Sequence, residues 1–207
     1  MKLSQVLLIT IAALTLLTPI LSTTGFGQCN VKNTPKAVAN FNQTAYLGNW
    51  YEQVRDANIP FEMGECRTTN FTRNHDGTLK LHLREFSIAK NEGLNNYGKL
   101  KCDHPTNEAK CKISFGPEFL GPLFEGNYWV ISTDYLNYAI VYSCTEVFGV
   151  HFTEYVWVLT REVNPAPEVI DRLEQDVIAL GYPEELLKRT WHGENCVYAN
   201  TIVEPSL

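Results

Sequence analysis

Hydrophobic and polar positions alternate with a period of two over Leu79, Leu81 and Leu83 against Lys80, His82 and Arg84. A strand with that pattern buries one face and wets the other. Similar short β-prone runs recur at residues 50–56, 67–73, 78–86, 97–102, 111–115, 128–133, 138–144 and 152–160. Turn signals separate them. Asn74-His75-Asp76-Gly77 is the clearest, since glycine accepts the positive φ of a tight hairpin. Eight antiparallel runs at hairpin spacing predict an all-β sandwich or barrel. An eight-stranded barrel has room inside for one small ligand.

Three segments break the period of two. After the last strand, Val169, Ile170, Leu173, Val177 and Leu180 recur at helical spacing. Pro167 suits a first turn, Glu168 and Asp171 lie near the positive end of the helix dipole, and Gly181 with Pro183 ends the run. The apolar stripe predicts that this helix packs on the outer barrel wall. The tail from Trp191 to Leu207 has no period, and Cys196 is expected to tie it down. At the other end, Lys2 precedes an uncharged, mostly apolar run from Leu3 to Leu21, and Gly25-Phe26-Gly27 offers small residues before Gln28. Residues 1–27 therefore read as a secretory signal peptide, with residues 28–207 as one domain and a secreted, extracellular product.

Composition narrows the function. The removed segment carries one base and no acid, so the formal charge moves from −6 to −7 on cleavage. An acidic chain without a basic run argues against a nucleic-acid partner. Six cysteines, an even number in a chain expected to be secreted, point to disulfides. Fifteen pairings are open, with Cys102 and Cys111 the easiest local pair. No Cys-x-x-Cys spacing suggests zinc, and the five histidines are scattered, so neither a metal nor a cofactor is expected. Asn42-Gln43-Thr44 and Asn70-Phe71-Thr72 are glycosylation acceptors.

Three short stretches carry more than any of this: Tyr46-Leu47-Gly48-Asn49-Trp50-Tyr51-Glu52, the run from Thr133-Asp134-Tyr135 to Cys144, and Trp157-Val158-Leu159-Thr160-Arg161. In this order and spacing they resemble the signature regions of the lipocalins, in the branch of apolipoprotein D and the insect and bilin-binding lipocalins. The resemblance implies an eight-stranded antiparallel up-and-down β-barrel with one C-terminal α-helix on its outside. It gives Gly48, Trp50, Tyr51, Thr133, Asp134, Tyr135 and Arg161 structural roles. Trp50 would close the floor under the Arg161 guanidinium, a favourable cation–π arrangement. It also implies the pairs Cys29–Cys144 and Cys66–Cys196, leaving Cys102–Cys111 as a further bridge.

With Trp50 at the floor, residues 57–65, 87–96, 116–126 and 145–149 would lie at the open mouth. Phe61 and Met63 in the first loop, and Phe119 and Phe124 in the third, would form an apolar rim that gates the pocket or meets a membrane or lipoprotein surface. The alternative is that the third loop folds back on itself. The resemblance points Trp129 inward, and Ile131 with it. Tyr138, Ile140 and Tyr142, or else their neighbours, would face in from the next strand. The function so implied is a secreted carrier of a small hydrophobic ligand: a fatty acid, sterol, retinoid or pigment. The alternatives are a loop-mediated inhibitor or scavenger and, less well supported, a lipocalin-type isomerase, which needs an activated free thiol. No Gly-x-Ser-x-Gly or His-Glu-x-x-His pattern is present, and an enzyme is not expected.

Overall fold

The computed structural model describes residues 24–26, 35–62, 64–87, 90–102, 107–116, 124–147, 150–194, 196 and 198. Eight strands follow one another around a barrel: β2 (Gly48–Asp56), β3 (Glu65–Arg73), β4 (Leu79–Ser87), β5 (Glu92–Lys101), β6 (Lys110–Phe115), β7 (Phe124–Thr133), β8 (Tyr138–Val147) and β9 (His151–Thr160). Each pairs antiparallel with the next, and β9 closes on β2. Two short strands extend the seam toward the mouth. β1 (Thr24–Phe26) pairs with His151–Thr153 of β9, and β10 (Leu187–Arg189) pairs with Val54–Asp56 of β2. Closure leaves no long exposed edge to invite association. β1 lies inside the segment expected to be removed, so a chain cut before Gln28 would lack that pairing.

β5 begins at Glu92, five residues before the expected start, so the expected mouth loop 87–96 shrinks to a short connection. Asn95, Asn96 and Gly93 are poor strand formers, yet β4 pairs with the whole stretch from Glu92 to Leu100. A complete partner strand overrides weak local preference.

The lower half of the barrel is packed solid. Trp50, Tyr46, Phe71, Leu79, Leu81 and Leu100 are fully or almost fully buried in one cluster. The Tyr46 ring lies 5.0 Å from Trp50 and 5.3 Å from Phe71, centroid to centroid. Gly98 permits a close approach on this wall. A Cβ there would sit 2.6 Å from the Ser114 carbonyl oxygen and 2.9 Å from Phe115 Cδ1. The segment before β2 is bonded to β7 and to the residue preceding β6, with Val38 N–H donating to Val130 O and Ala109 N–H to Val38 O.

A second core lies outside the barrel. Helix α2 (Pro167–Ala179) follows the short α1 (Gln43–Tyr46) and lays Leu173 and Val177 against Val54, Ile140, Val156 and Val158. Leu180, expected on the stripe, is 48% exposed, because the helix has already ended at Ala179. Arg189 of β10 ties the outer face of α2 down through Asp171 and Glu174.

This outer core corrects the expected pocket parity. Ile140 is buried under α2, and Ile131 and Tyr138 pack on the same cluster. Tyr142 pairs across the sheet with Trp129 on one side and Val156 on the other, which places all three on the outer face. Lys110 Nζ lies 5.3 Å from the Trp129 ring. Trp129, Ile131, Tyr138, Ile140 and Tyr142 thus face out, while Val130, Ala139, Val141 and Ser143 face in. Strands covered by barrel contents on one side and a helix on the other are apolar on both, so alternation does not mark the inside.

Cys66–Cys196 fixes the tail to β3 with Cα atoms 5.4 Å apart, and Cys102–Cys111 joins the floor ends of β5 and β6 at 4.2 Å. Cys144 is also disulfide-bonded; Cys29, its expected partner, lies outside the described residues. Among the described residues no cysteine is free.

Candidate ligand-binding cavity

The floor is held from below by one arginine. The Arg161 guanidinium carbon stands 3.7 Å from the Trp50 ring centroid. Its Nε donates to Tyr135 O at 3.1 Å, Nη1 to Asn49 O at 2.8 Å and Nη2 to Ala45 O at 2.9 Å. Trp50 Nε1 in turn donates to Tyr46 O at 2.9 Å. Gly48 takes φ +96°, a backbone conformation that favours glycine, beside the guanidinium. Asp134 Oδ1 accepts from the backbone N–H groups of Leu136, Asn137 and Tyr138, which fixes the β7–β8 turn. Slight burial opposes ionisation of Asp134, but these bonds and the Asn137 amide outweigh it and hold its carboxyl below the ordinary range. Tyr51, beside Trp50, faces outward, edge-on to Tyr198 at 5.4 Å.

Above the floor the barrel opens into a cavity of about 390 Å³. Tyr128 stands at its base, its hydroxyl 2.9 Å from that of Tyr46. Leu83, Ile113, Phe115, Val141 and Leu159 supply apolar wall, and Tyr155, Trp157 and Phe61 rise toward the mouth. The Phe61 ring meets Tyr155 edge-on at 6.2 Å. Of the expected pocket and rim residues, Phe61 alone is seen to line the cavity. Met63 and Phe119 lie outside the described residues. The Phe124 backbone pairs with Phe115 at the start of β7.

The opposite wall is charged. Arg67 on β3 donates through Nε to Glu52 at 2.9 Å, pairs through Nη2 with Glu62 at 2.8 Å, and contacts Glu85 through Nη1. Arg55 reaches Glu52 from behind at 2.8 Å and also bonds Thr190 and Gly64 O. Trp157 Nε1 donates to the second oxygen of Glu62 at 2.9 Å. Every one of these ionic side chains is at most 8% exposed. Burial works against ionisation of Glu52, but Arg67 and Arg55 outweigh it and hold the carboxyl below its usual range. At Glu62 burial prevails over Arg67, and the pKa rises to about 7. Buried ion clusters cost desolvation energy, and well-packed apolar residues of similar volume are often as stabilising. This one lines a cavity, where perturbed acids are more often functional than elsewhere.

Sequence reasoning missed this cluster, although a signal was present. Glu52 stands two residues beyond Trp50, and Glu85 two beyond Leu83, each on the inward parity of its strand.

A family model described as a lipocalin-like domain matches residues 41–192. The chain belongs to the lipocalin family. Apolipoprotein D of Mus musculus is 32% identical to this lipocalin over 159 residues, covering 76% of this chain and 80% of that one. Among solved structures, lobster apocrustacyanin A1 superposes with a TM-score of 0.66 at 19% identity, covering 86% of this lipocalin and 95% of that chain. Insecticyanin from the tobacco hornworm Manduca sexta gives 0.66 at 20% identity, with 85% and 93% covered. These structural likenesses concern the fold. Among the described residues no helix is long and apolar enough to cross a membrane, and no cluster of three or more metal-binding side chains occurs.

Proposed function

We propose that this lipocalin is a secreted carrier that holds one small, largely apolar ligand in its barrel. The observation that carries the reading is the 390 Å³ cavity with one apolar wall, open at the Phe61 end and floored by Tyr128. Its size falls in the range of small-molecule sites. Affinity comes from burying apolar surface, at about 25 cal/mol per Å². The likeness to apolipoprotein D supports a lipid-like cargo. The signal-like residues 1–27, the disulfides and the exposed acceptor Asn42 support secretion and glycosylation. Phe61 serves as a rim residue, with Met63, Phe119 and Phe124 proposed beside it on sequence grounds, and this rim meets a lipid surface during loading. No chemistry on the ligand is required. The cavity acids are engaged by arginines, and among the described residues no thiol is free.

Native mass spectrometry of the disulfide-intact protein, incubated with a fatty acid, a sterol, a retinoid and a tetrapyrrole, tests this. A one-to-one complex with at least one class is expected, and it weakens when Ser143→Phe fills the cavity. No complex with any class would overturn the carrier reading.

A further inference from the structure

The cavity has an amphiphilic interior, and its polar wall has a sign. Three carboxylates, Glu52, Glu62 and Glu85, stand there with Arg67, and Arg55 lies behind them. The three donor nitrogens of Arg67 are each taken by a different carboxylate. Arg55 is likewise committed, to Glu52, Thr190 and the Gly64 carbonyl. Neither guanidinium presents an unengaged fork to the cavity. Acids outnumber bases in the cluster by one, and Glu62, on the mouth loop before β3, is the acid least favourably ionised. Arg67 reaches only Oε2 of Glu85.

A ligand head group entering this wall therefore meets acceptors rather than donors. A carboxylate would meet a cluster whose acids already exceed its bases by one and whose Arg67 nitrogens are each bonded to a carboxylate, and an unpaired charge in a buried site costs heavily. A hydroxyl or ammonium instead finds carboxylate oxygens to donate to, and such charge-assisted bonds are the stronger kind.

Resting on the carrier reading above, we propose that the cavity selects an amphiphile whose polar end donates hydrogen bonds, an alcohol or a primary amine, turned toward Glu62 and Glu85, and discriminates against the carboxylate of a free fatty acid. One base stands apart from the cluster. Among the described residues that line the cavity it is the one further base: Arg84 touches the margin from the outward parity of β4, half-buried, and an anion at the mouth would meet it.

The test compares dodecanol, dodecylamine and dodecanoate, one chain with three heads, by calorimetric titration of the intact protein at pH 8 and physiological salt. The alcohol and the amine are expected to bind about tenfold or more tightly than the acid. In Glu62→Gln the amine-to-acid ratio falls by about threefold or more, since one of the carboxylates is neutralised. Should that variant fail to fold, the wild type gives the same reading: the amine-to-alcohol ratio is higher at pH 8 than at pH 5.5, where Glu62 holds its proton against the facing charges of Arg67, Glu52 and Arg55. Dodecanoate binding as tightly as both others, above all if Arg84→Gln then abolishes it, would overturn the proposal and leave the carrier reading standing. Donor-headed ligands winning with ratios that neither Glu62→Gln nor pH changes would also overturn it, since the carboxylates would not be the cause. If no chain binds at all, the carrier reading falls and takes the proposal with it.

Discussion

Two residues show how single side chains govern this barrel. Arg161 gathers the carbonyls of Ala45, Asn49 and Tyr135 while lying flat on Trp50, so it staples α1, β2 and the β7–β8 turn to one indole. Arg161→Ala should cost about 2–4 kcal/mol, from the lost cation–π contact and the carbonyls left to water. Urea denaturation measures this, and Arg161→Lys should fall between, since an ammonium cannot span three carbonyls. Glu62 makes its own contribution to pH dependence. Its folded pKa, about 7, lies above its ordinary value of 4.5. Between those values the folded chain keeps a proton the unfolded chain has lost. The Glu62 contribution to stability is therefore full below about pH 4.5, declines as pH rises, and levels off above about pH 7. Glu52, held below its ordinary range by Arg67 and Arg55, acts in the opposite sense and loses its contribution as pH falls through its folded value. Melting temperatures of Glu62→Gln relative to wild type should accordingly improve from pH 5 to pH 8.5. A difference independent of pH would show that Glu62 is not the group that titrates.

At the scale of elements, helix α2 gives the barrel wall a second apolar face. Leu173→Ala should destabilise the protein by about 2–5 kcal/mol, the range for a buried leucine, and leave ligand affinity within about twofold, because Leu173 touches only the outside of the cylinder. Loss of affinity in step with stability would mean that α2 and the cavity are coupled. The same double coverage explains what was legible in the sequence. β4 reads cleanly, since Leu79 and Leu81 face the core while Lys80 faces water. β7 and β8 do not, because Ile131 and Ile140 under α2 are as apolar as Val130 and Val141 inside. The eight strands and the helix follow from period and spacing, and the Trp50–Arg161 pair follows from the family resemblance. The register that turns Trp129 outward does not, since it depends on which residues oppose Lys110 and Tyr142 across the sheet. The charged wall was readable, at Glu52 and Glu85, once parity was carried past the last apolar residue.

Across the whole molecule, the design is a filled lower half beneath an open upper half, with the segment around Cys196 tied to the wall. Cys66–Cys196 spans 130 residues of sequence and holds the tail where Trp191 O accepts from Cys66 N–H. Replacing both cysteines by serine should lower stability by about 4 kcal/mol through the freed unfolded chain. Urea unfolding under non-reducing conditions would show it as a lower midpoint. The central claim is that a ligand sits among the inward residues of the upper barrel, and tryptophan fluorescence tests it most directly. Trp157 lines the cavity, Trp50 is sealed in the floor, and Trp129 stands on the outer face. The measurement is a quenching titration with a retinoid on wild type, Trp157→Phe and Trp129→Phe. Saturable quenching that shrinks in Trp157→Phe and persists in Trp129→Phe is the predicted result. Quenching that survives the loss of Trp157 but disappears with Trp129 would contradict it and move the binding site to the outside of the barrel.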